Sequence, residues 1–339
     1  MHNLLITGGA GFIGSNFIRH IIDTYPAYTV VNLDCLTYAG NLENLIGIDH
    51  NPNYHFIKGS INNKELVEHI IRTYKIESII NFAAESHVDR SIEGPEIFIH
   101  TNVQGTLVLL EAAKNLGIEK FLQVSTDEVY GSLGKNGKFT EDLPLRPNSP
   151  YSASKASADL LVRAYFKTFG LPVLITRCSN NYGPYQFPEK LIPLMIKNAL
   201  DSQKLPVYGD GSNIRDWIHV LDHARAIDAV LHKGTIGEIY NVGGNNEWKN
   251  ISIVKEILRL VNKPESLIQF VKDRLGHDFR YAIDNTKITQ KLGWSPAYTF
   301  SNGLQDTIKW YLDNTGWVEN CTSGDYQSYY DKMYSNREL

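Results

Sequence analysis

Tyr151 and Lys155 stand four residues apart in a stretch introduced by Pro147 and Pro150. On a helix this spacing puts the phenol and the ammonium on one face. A cation near a phenol favours phenolate and predicts a pKa below the usual value of about 10, which suits Tyr151 to take an alcohol proton as a hydride leaves the same carbon. Ser125 and Thr126 end an earlier apolar run, where Thr126 can hold that alcohol oxygen. By themselves a Tyr and a Lys at helical spacing are equally a solvated face. They acquire a task only if the chain also binds a hydride acceptor.

Gly8-Gly9-Ala10-Gly11-Phe12-Ile13-Gly14 follows the first apolar run, with Gly8, Gly11 and Gly14 spaced three apart. Bare backbone here lets a pyrophosphate approach the amides that open the next helix, around Phe12 and Ile13, where the helix dipole favours an anion; Gly14 lets that helix lie close to the sheet. Asp34 comes twenty residues after Gly14, at the end of the second apolar run. A carboxylate there accepts both adenosine ribose hydroxyls and repels a 2′-phosphate, which selects NAD over NADP. The competing readings are a ligand-free turn at the glycines and a capping aspartate at 34. Ala83 and Ala84, after Asn81-Phe82, are small enough for a cofactor to pass, though helix packing explains them as well. Ser60-Ile61 follows the third run, where an acidic residue touching adenine would be expected.

The elements that position these residues follow from periodicity. Asn3–Thr7, Tyr28–Leu33, Tyr54–Ile57, Ile76–Phe82, Phe121–Ser125 and Pro172–Thr176 read as strands with helical stretches between most of them. Such alternation requires right-handed crossovers and gives an α/β fold, a Rossmann-like doubly wound parallel sheet. After about residue 178 the pattern loosens into a smaller α/β lobe, with a short run at Trp217–Val220 and helices near Val254–Leu260 and Gly303–Leu312. Glu238–Val242 again reads as a strand, so the lobes interleave. The expected division is 1–177 for the dinucleotide domain, re-entered at about 217–242, and 178–216 with 243–339 for the substrate lobe.

Composition narrows the function classes. The chain has 339 residues, 42% hydrophobic and 21% charged, an ordinary globular balance. Its 33 Lys and Arg against 37 Asp and Glu give a net charge of −4 without a basic block, so no nucleic-acid partner is expected. Cys35, Cys178 and Cys321 are odd in number and far apart, which excludes a disulfide framework and a paired-cysteine zinc site, and no metal is expected. The N-terminus has no cationic segment before its apolar run and no window approaches a membrane span, so a cytoplasmic protein without membrane contact is expected.

Several words of the sequence carry a more specific resemblance. Ala84-Glu85-Ser86-His87-Val88-Asp89, Thr126-Asp127-Glu128-Val129-Tyr130-Gly131, Cys178-Ser179-Asn180-Asn181-Tyr182-Gly183-Pro184, and Gly209-Asp210-Gly211 with Arg215-Asp216-Trp217 are similar to those of the extended, nucleotide-sugar-modifying short-chain dehydrogenases/reductases, and within them to the dTDP-glucose 4,6-dehydratase family. The resemblance runs from Leu4 to the region of Tyr326. It implies oxidation of dTDP-glucose at C4, loss of water across C5 and C6, and return of the hydride to C6, with NAD recycled. Glu128 would be the base at C5, and Asp127, kept protonated, would donate to the departing C6 oxygen. A C4 epimerase of nucleotide sugars shares the glycine turn, Tyr151 and Lys155 but does not need Asp127 and Glu128. Consecutive residues on a regular strand face opposite sides, so the strand must break at Thr126 for both carboxyls to meet one sugar. On residue types alone, Asp127 is equally a turn cap and Glu128 a solvated side chain.

The resemblance further implies that Leu36, Thr37, Ser60, Ile61, Ala83, Ala84, Ser86, Thr101 and Asn181 join the glycine turn, Asp34, Tyr151 and Lys155 in holding NAD. Ser86, Thr126, Asn180, Lys190, Leu191, Val207, Tyr208, Arg215, Asn250, Arg274, His277 and Tyr326 would hold the nucleotide sugar. A diphosphate needs forked or cationic donors, which favours Arg215 and Arg274, although each alone is also an ordinary surface ion pair. His277 is expected to donate or accept in the pocket, His87 to be a bystander and Cys178 to be a packing residue. Leu275 stands where the family often has Pro. The stretches Glu96–Ala113 and Ser152–Thr168 are apolar on more than one face, and the resemblance implies that they pair two copies into a homodimer.

Overall fold

A computed structural model describes residues 2–322. Six strands, β1 (Asn3–Thr7), β2 (Thr29–Asp34), β3 (Tyr54–Lys58), β4 (Ser78–Asn81), β5 (Lys120–Thr126) and β6 (Val173–Cys178), occupy the first half of the chain. Beyond them lie β7 (Asn180–Tyr182), β8 (Leu205–Tyr208), β9 (Ile214–His219), β10 (Ile239–Val242), β11 (Glu247–Lys249) and β12 (Ile268–Val271). The large sheet is seven-stranded and parallel, in the order β10-β6-β5-β4-β1-β2-β3. This is the doubly wound Rossmann-like arrangement expected from the strand and helix alternation. The chain reverses direction across the sheet beside β1, and ligands bind such sheets in the crevice outside the carboxyl ends of the strands at that point.

Sheet and helices cohere because the strands are apolar on both faces, as a parallel sheet requires. In β1, Leu4 and Ile6 join one fully buried cluster with Phe17, Ile18 and Ile227, while Leu5 joins another on the opposite face with Val31, Ile70 and Leu109. The helix Pro150–Phe169 starts cleanly: Ser149 accepts from the Ser152 amide at 3.1 Å, the Ser152 hydroxyl accepts from the Ser149 amide at 3.0 Å, and Pro150 supplies the first turn. The stretch expected as one helix over Glu96–Ala113 is divided, with a π-helical segment at Ile99–Gly105 before the α-helix Thr106–Leu116. Segments of this kind recur near functional sites, and this one carries Thr101.

The second lobe has its own core, built from Tyr182, Ile192, Trp217, Ile253 and Phe300 among others. Its strands form a three-stranded sheet, β11-β9-β7, and a parallel pair, β12-β8. Trp217 therefore lies in a strand of the smaller lobe rather than in a return to the large sheet. The return begins with the helix Val220–Lys233, whose Ile227, Val230 and Leu231 pack into the first core, and β10 then pairs with β6. Ile288, Leu292 and Trp294 also pack into that first core, because the helix Thr286–Leu292 lies against β10.

Candidate active site

The carboxyl ends of β1, β2, β4, β5 and β6 open into a cleft of about 440 Å³ whose opposite wall comes from the second lobe. The glycine turn forms its floor. Gly8 has φ +68°, and a Cβ there would sit 2.7 Å from the Ala83 Cα; at Gly14 it would sit 2.4 Å from the Gly8 carbonyl oxygen. Protein packing alone accounts for those two. At Gly11 the nearest atom to a Cβ is the Gly8 oxygen at 3.3 Å, a mild restraint, and Gly11 faces the cleft with Phe12 and Ile13. The absence of a side chain at Gly11 is thus best matched to a ligand approaching the helix Phe12–Thr24, as the dinucleotide reading requires.

Asp34 ends β2 and lines the same cleft. Its Oδ2 accepts from the Ala10 amide at 2.9 Å and its Oδ1 from the Leu36 amide at 2.8 Å. Burial pushes its pKa up, and the two amides pull it back. Thr37, Ser60, Ile61, Ala83, Ala84, Ser86, Thr101 and Asn181 also line the cleft. Leu36 has φ +55°, donates its amide to Asp34 and packs its side chain against the first core.

The strand break foreseen at Thr126 is present. β5 ends there, and a 3₁₀ turn over Asp127–Tyr130 follows, capped by the Thr126 hydroxyl, which accepts from the Glu128 amide at 3.2 Å. Asp127 and Glu128 both line the cleft with Thr126, Tyr151 and Lys155. Asp127 Oδ1 takes a 3.3 Å contact from the Thr126 hydroxyl, while its Oδ2 is buried without a partner among the described residues. Burial, then Glu128 and then Asp216 drive the Asp127 pKa well above the carboxylate range. Burial raises that of Glu128 as well, but Arg274, Arg215 and Lys190 oppose it. Both are raised, Asp127 further: Arg215 opposes the rise at each, and Arg274 and Lys190 oppose it at Glu128 in addition, so the two neighbours sit in unlike environments.

Tyr151 departs from expectation in one respect. Its pKa is raised well above 10, by burial first and by Glu128 second. Lys155 Nζ donates to the Val124 carbonyl at 2.8 Å, and burial lowers the lysine pKa. Desolvation of the phenol and the nearby Glu128 carboxylate set that rise, and a hydrogen bond with Thr126 opposes it, so the expected activation of Tyr151 is not built into the protein alone.

The second lobe brings Asn180, Lys190, Leu191, Val207, Tyr208, Arg215, Asn250, Arg274 and His277 to the opposite wall. Arg215 is buried; it donates to the Asp278 carbonyl at 2.9 Å and to its own neighbour Ile214 at 2.8 Å, and it stacks on Tyr281 at 4.2 Å. Arg274 Nε is buried without a partner among the described residues. His277 bonds Asp273 at 2.6 Å, and burial with Arg274 and Arg215 holds its pKa at about 4, so the ring is neutral near pH 7. The Cys178 thiol is pushed up to about 12 by burial and Asp127, as a packing residue's would be. Tyr326 lies outside the described residues. Leu275 is exposed on the loop beside Arg274.

Several lining residues were not foreseen as site residues. Tyr281, Glu85 and Glu189 line the cleft, and so does His87, which is buried with its pKa well below the usual value. Glu85 and His87 were within reach, since both fall in the word Ala84–Asp89. Among the described residues no group of three or more His, Cys, Asp or Glu could hold a metal ion, and no helix is long and apolar enough to cross a membrane.

Comparison with known proteins agrees with this geometry. A family model described as GDP-mannose 4,6 dehydratase matches residues 5–307. A dTDP-glucose 4,6-dehydratase of Xanthomonas campestris pv. campestris is 54% identical over 345 residues, covering 96% of this chain and 98% of that protein. The chain belongs to the dTDP-glucose 4,6-dehydratase family. A solved dehydratase of this family from Bacillus anthracis, in complex with NAD, is 55% identical with a TM-score of 0.89 and covers 95% of this chain and 100% of its own. A UDP-glucose 4-epimerase of Thermotoga maritima shares the fold at a TM-score of 0.86, over 92% of this chain and 99% of its own, but only 30% of the residues. The dehydratase family is therefore distinguished from the epimerases on a common scaffold.

Proposed function

We propose that the chain is an NAD-dependent hydro-lyase that converts dTDP-glucose to dTDP-4-keto-6-deoxyglucose and water. The observation that carries this reading is the 3₁₀ turn at Asp127–Tyr130, which brings two carboxyls with unlike environments to the cleft that also holds Tyr151 and Lys155. An epimerase has no use for that pair.

With NAD bound, the site would have an acceptor for the C4 hydride and a donor that returns it at C6. The glycine turn and Asp34 would hold its pyrophosphate and adenosine ribose, and Lys155 would supply a cation at the reacting end of the cleft. Tyr151 would accept the O4 proton as the phenolate, a form that Lys155 and the positive charge of bound NAD would favour against burial, with Thr126 orienting that oxygen. The ketone so formed acidifies the C5 hydrogen, which Glu128 removes. Asp127 donates its proton to the C6 oxygen, which leaves as water. The proton on Glu128 returns to C5, and the one released from O4 restores Asp127, so atoms balance with no external reductant. Arg215 and Arg274 hold the diphosphate, with Asn180, Lys190, Leu191, Val207, Tyr208, Asn250 and His277 around the sugar and base.

We place the NAD-binding lobe at residues 2–177, 220–242 and 286–294, with the substrate lobe made by the rest of the described residues. The same proposal includes a cytoplasmic homodimer. Ile97, Ile99 and Leu107, with Leu160 on the Tyr151 helix, are between 38% and 56% exposed and offer an apolar face for a second copy. The free cysteines suit a reducing compartment, and the net charge of −4 suits a protein that does not bind nucleic acid.

The test is incubation with dTDP-glucose and no added reductant, followed by proton NMR. A C6 methyl doublet beside a C4 ketone supports the proposal. A 4-epimer, or unchanged sugar with NAD bound, overturns it.

A further inference from the structure

The turn that presents Asp127 and Glu128 is tied to the helix that presents Tyr151 and Lys155 by groups that touch neither sugar nor cofactor in the mechanism above. The Tyr130 hydroxyl, at the end of the turn, accepts from Arg177 NH1 at 2.9 Å and donates to Asn241 Oδ1 at 2.8 Å. Arg177 Nε donates to Asp159 Oδ2 at 2.9 Å, and Asp159 lies one helical turn beyond Lys155 on the helix Pro150–Phe169. Asp159, Arg177, Tyr130 and Asn241 are 1%, 3%, 4% and 0% exposed.

A buried ion pair is weak evidence for stability, since well-packed apolar residues often replace one without loss. Its retention here calls for a reason, and the connections supply one. Arg177 is the residue before Cys178 at the end of β6, and Asn241 lies in β10. Asn241 in turn fixes the strand-like segment beyond the turn, its side-chain amide donating to the Phe139 carbonyl at 2.9 Å and its backbone amide to Glu141 at 2.9 Å. The Tyr130 ring stacks on Phe139 at 5.0 Å and lies 4.8 Å from the Arg177 guanidinium carbon. A 3₁₀ turn of four residues has little rigidity of its own. Beside the Thr126 cap, the Arg146 amide on the Val129 carbonyl at 3.0 Å and the packing of Val129 with Ala156, its orientation is held by a buried polar chain anchored in the sheet and in the Tyr151 helix.

We propose that Tyr130, Arg177 and Asp159 are positioning residues that fix the elimination pair, Asp127 and Glu128, relative to the oxidising pair, Tyr151 and Lys155, so that one hexose meets both without moving. The inference rests on the dehydratase reading of the site. It has an electrostatic complement: Asp159 Oδ1 is buried without a hydrogen-bond partner among the described residues, and Asp159 is the foremost group opposing the loss of charge that burial imposes on Lys155.

Tyr130→Phe removes the hydroxyl and keeps the ring, so it tests the link with little disturbance of packing. With dTDP-glucose, kcat is expected to fall about 10–100-fold with KM within about threefold, the signature of lost geometry in the elimination step. The isotope effect on kcat from deuterium at C5 should grow, and that from deuterium at C4 should shrink towards unity. Arg177→Lys, which keeps the charge but not the fork, should show the same pattern. Equal slowing of both steps, or unchanged kcat, overturns the inference. An independent readout uses the wild-type chain alone: the amides of residues 128–131 should exchange with deuterium as slowly as those of β6, and in Tyr130→Phe about tenfold faster or more, without matching change in β6. Rapid exchange there in the wild type overturns the inference even if a variant fails to fold. If the wild type yields no 4-keto-6-deoxy sugar while its exchange pattern is as expected, the catalytic reading fails and the structural tie stands.

Discussion

The Thr126 hydroxyl accepts a hydrogen bond from the Glu128 amide at 3.2 Å, across the point where β5 gives way to a 3₁₀ turn. This contact resolves the geometric conflict between two adjacent carboxyls and one substrate, because it ends the strand's alternation one residue before Asp127. Thr126 therefore shapes the turn, and in the proposed reaction it also contacts the reacting oxygen.

Thr126→Val keeps the shape and loses both. Loss of the cap should cost about 1 kcal/mol of stability, and kcat should fall by about 100-fold, within the range expected for a mispositioned reacting group. Thr126→Ser should recover most of the activity. Thermal melts and steady-state kinetics check the two separately.

The raised pKa of Asp127 links its protonation to folding. A folded-state pKa above the unfolded one means that its contribution to stability is complete below the unfolded value, near pH 4, and is lost as pH rises through the folded value. Asp127→Asn, neutral at every pH, should gain stability relative to the wild type as pH rises above the unfolded-state pKa of about 4. Denaturant titrations at several pH values measure the difference; a constant or declining gain would show that the carboxyl is not held protonated.

Asp34 bridges the Ala10 and Leu36 amides at 2.9 and 2.8 Å as well as facing the cleft. Asp34→Asn should weaken NAD binding by about 10–100-fold, an amount in line with a lost charge-assisted pair of bonds, and narrow the preference over NADP. Calorimetric titration of both dinucleotides gives the comparison.

Arg215 and Arg274 should separate by stability. Arg215 supports the Asp278 and Ile214 carbonyls, whereas Arg274 Nε has no partner among the described residues. Both alanine variants should weaken dTDP binding by about tenfold or more, since each loses a charged hydrogen bond to phosphate. Only Arg215→Ala should also lower the melting temperature clearly. Titration with dTDP and thermal melts decide it.

The parallel sheet was legible because its strands are continuous apolar runs, buried on both faces and separated by helical spacing. β1, from Asn3 to Thr7, falls where the run predicts, and even the edge strand at Tyr54 is present. The short strands β7, β8, β11 and β12 were not legible; three or four residues leave no period, and each exists only through its partner. At the site, the glycine turn and the Tyr151–Lys155 helix are local patterns and could be read directly. The breaking of the strand at Thr126 was demanded by stereochemistry once both carboxyls were assigned to one sugar. Contacts such as Arg90 with Glu189, at 3.2 Å but 99 residues apart in the chain, leave no local trace, and the role of Glu189 in the cleft wall was missed for that reason. The raised pKa of Tyr151 also escaped, because spacing reveals the nearby lysine but not the burial that raises it.

The central claim is that oxidation and water loss are performed by separate side chains on a single bound hexose. Asp127→Asn combined with Glu128→Gln tests it most directly, by calorimetric binding of NAD together with NMR of the sugar. The account predicts unchanged NAD affinity and no release of a 4-keto-6-deoxy product. Formation of that product at the wild-type rate by the double variant would contradict it.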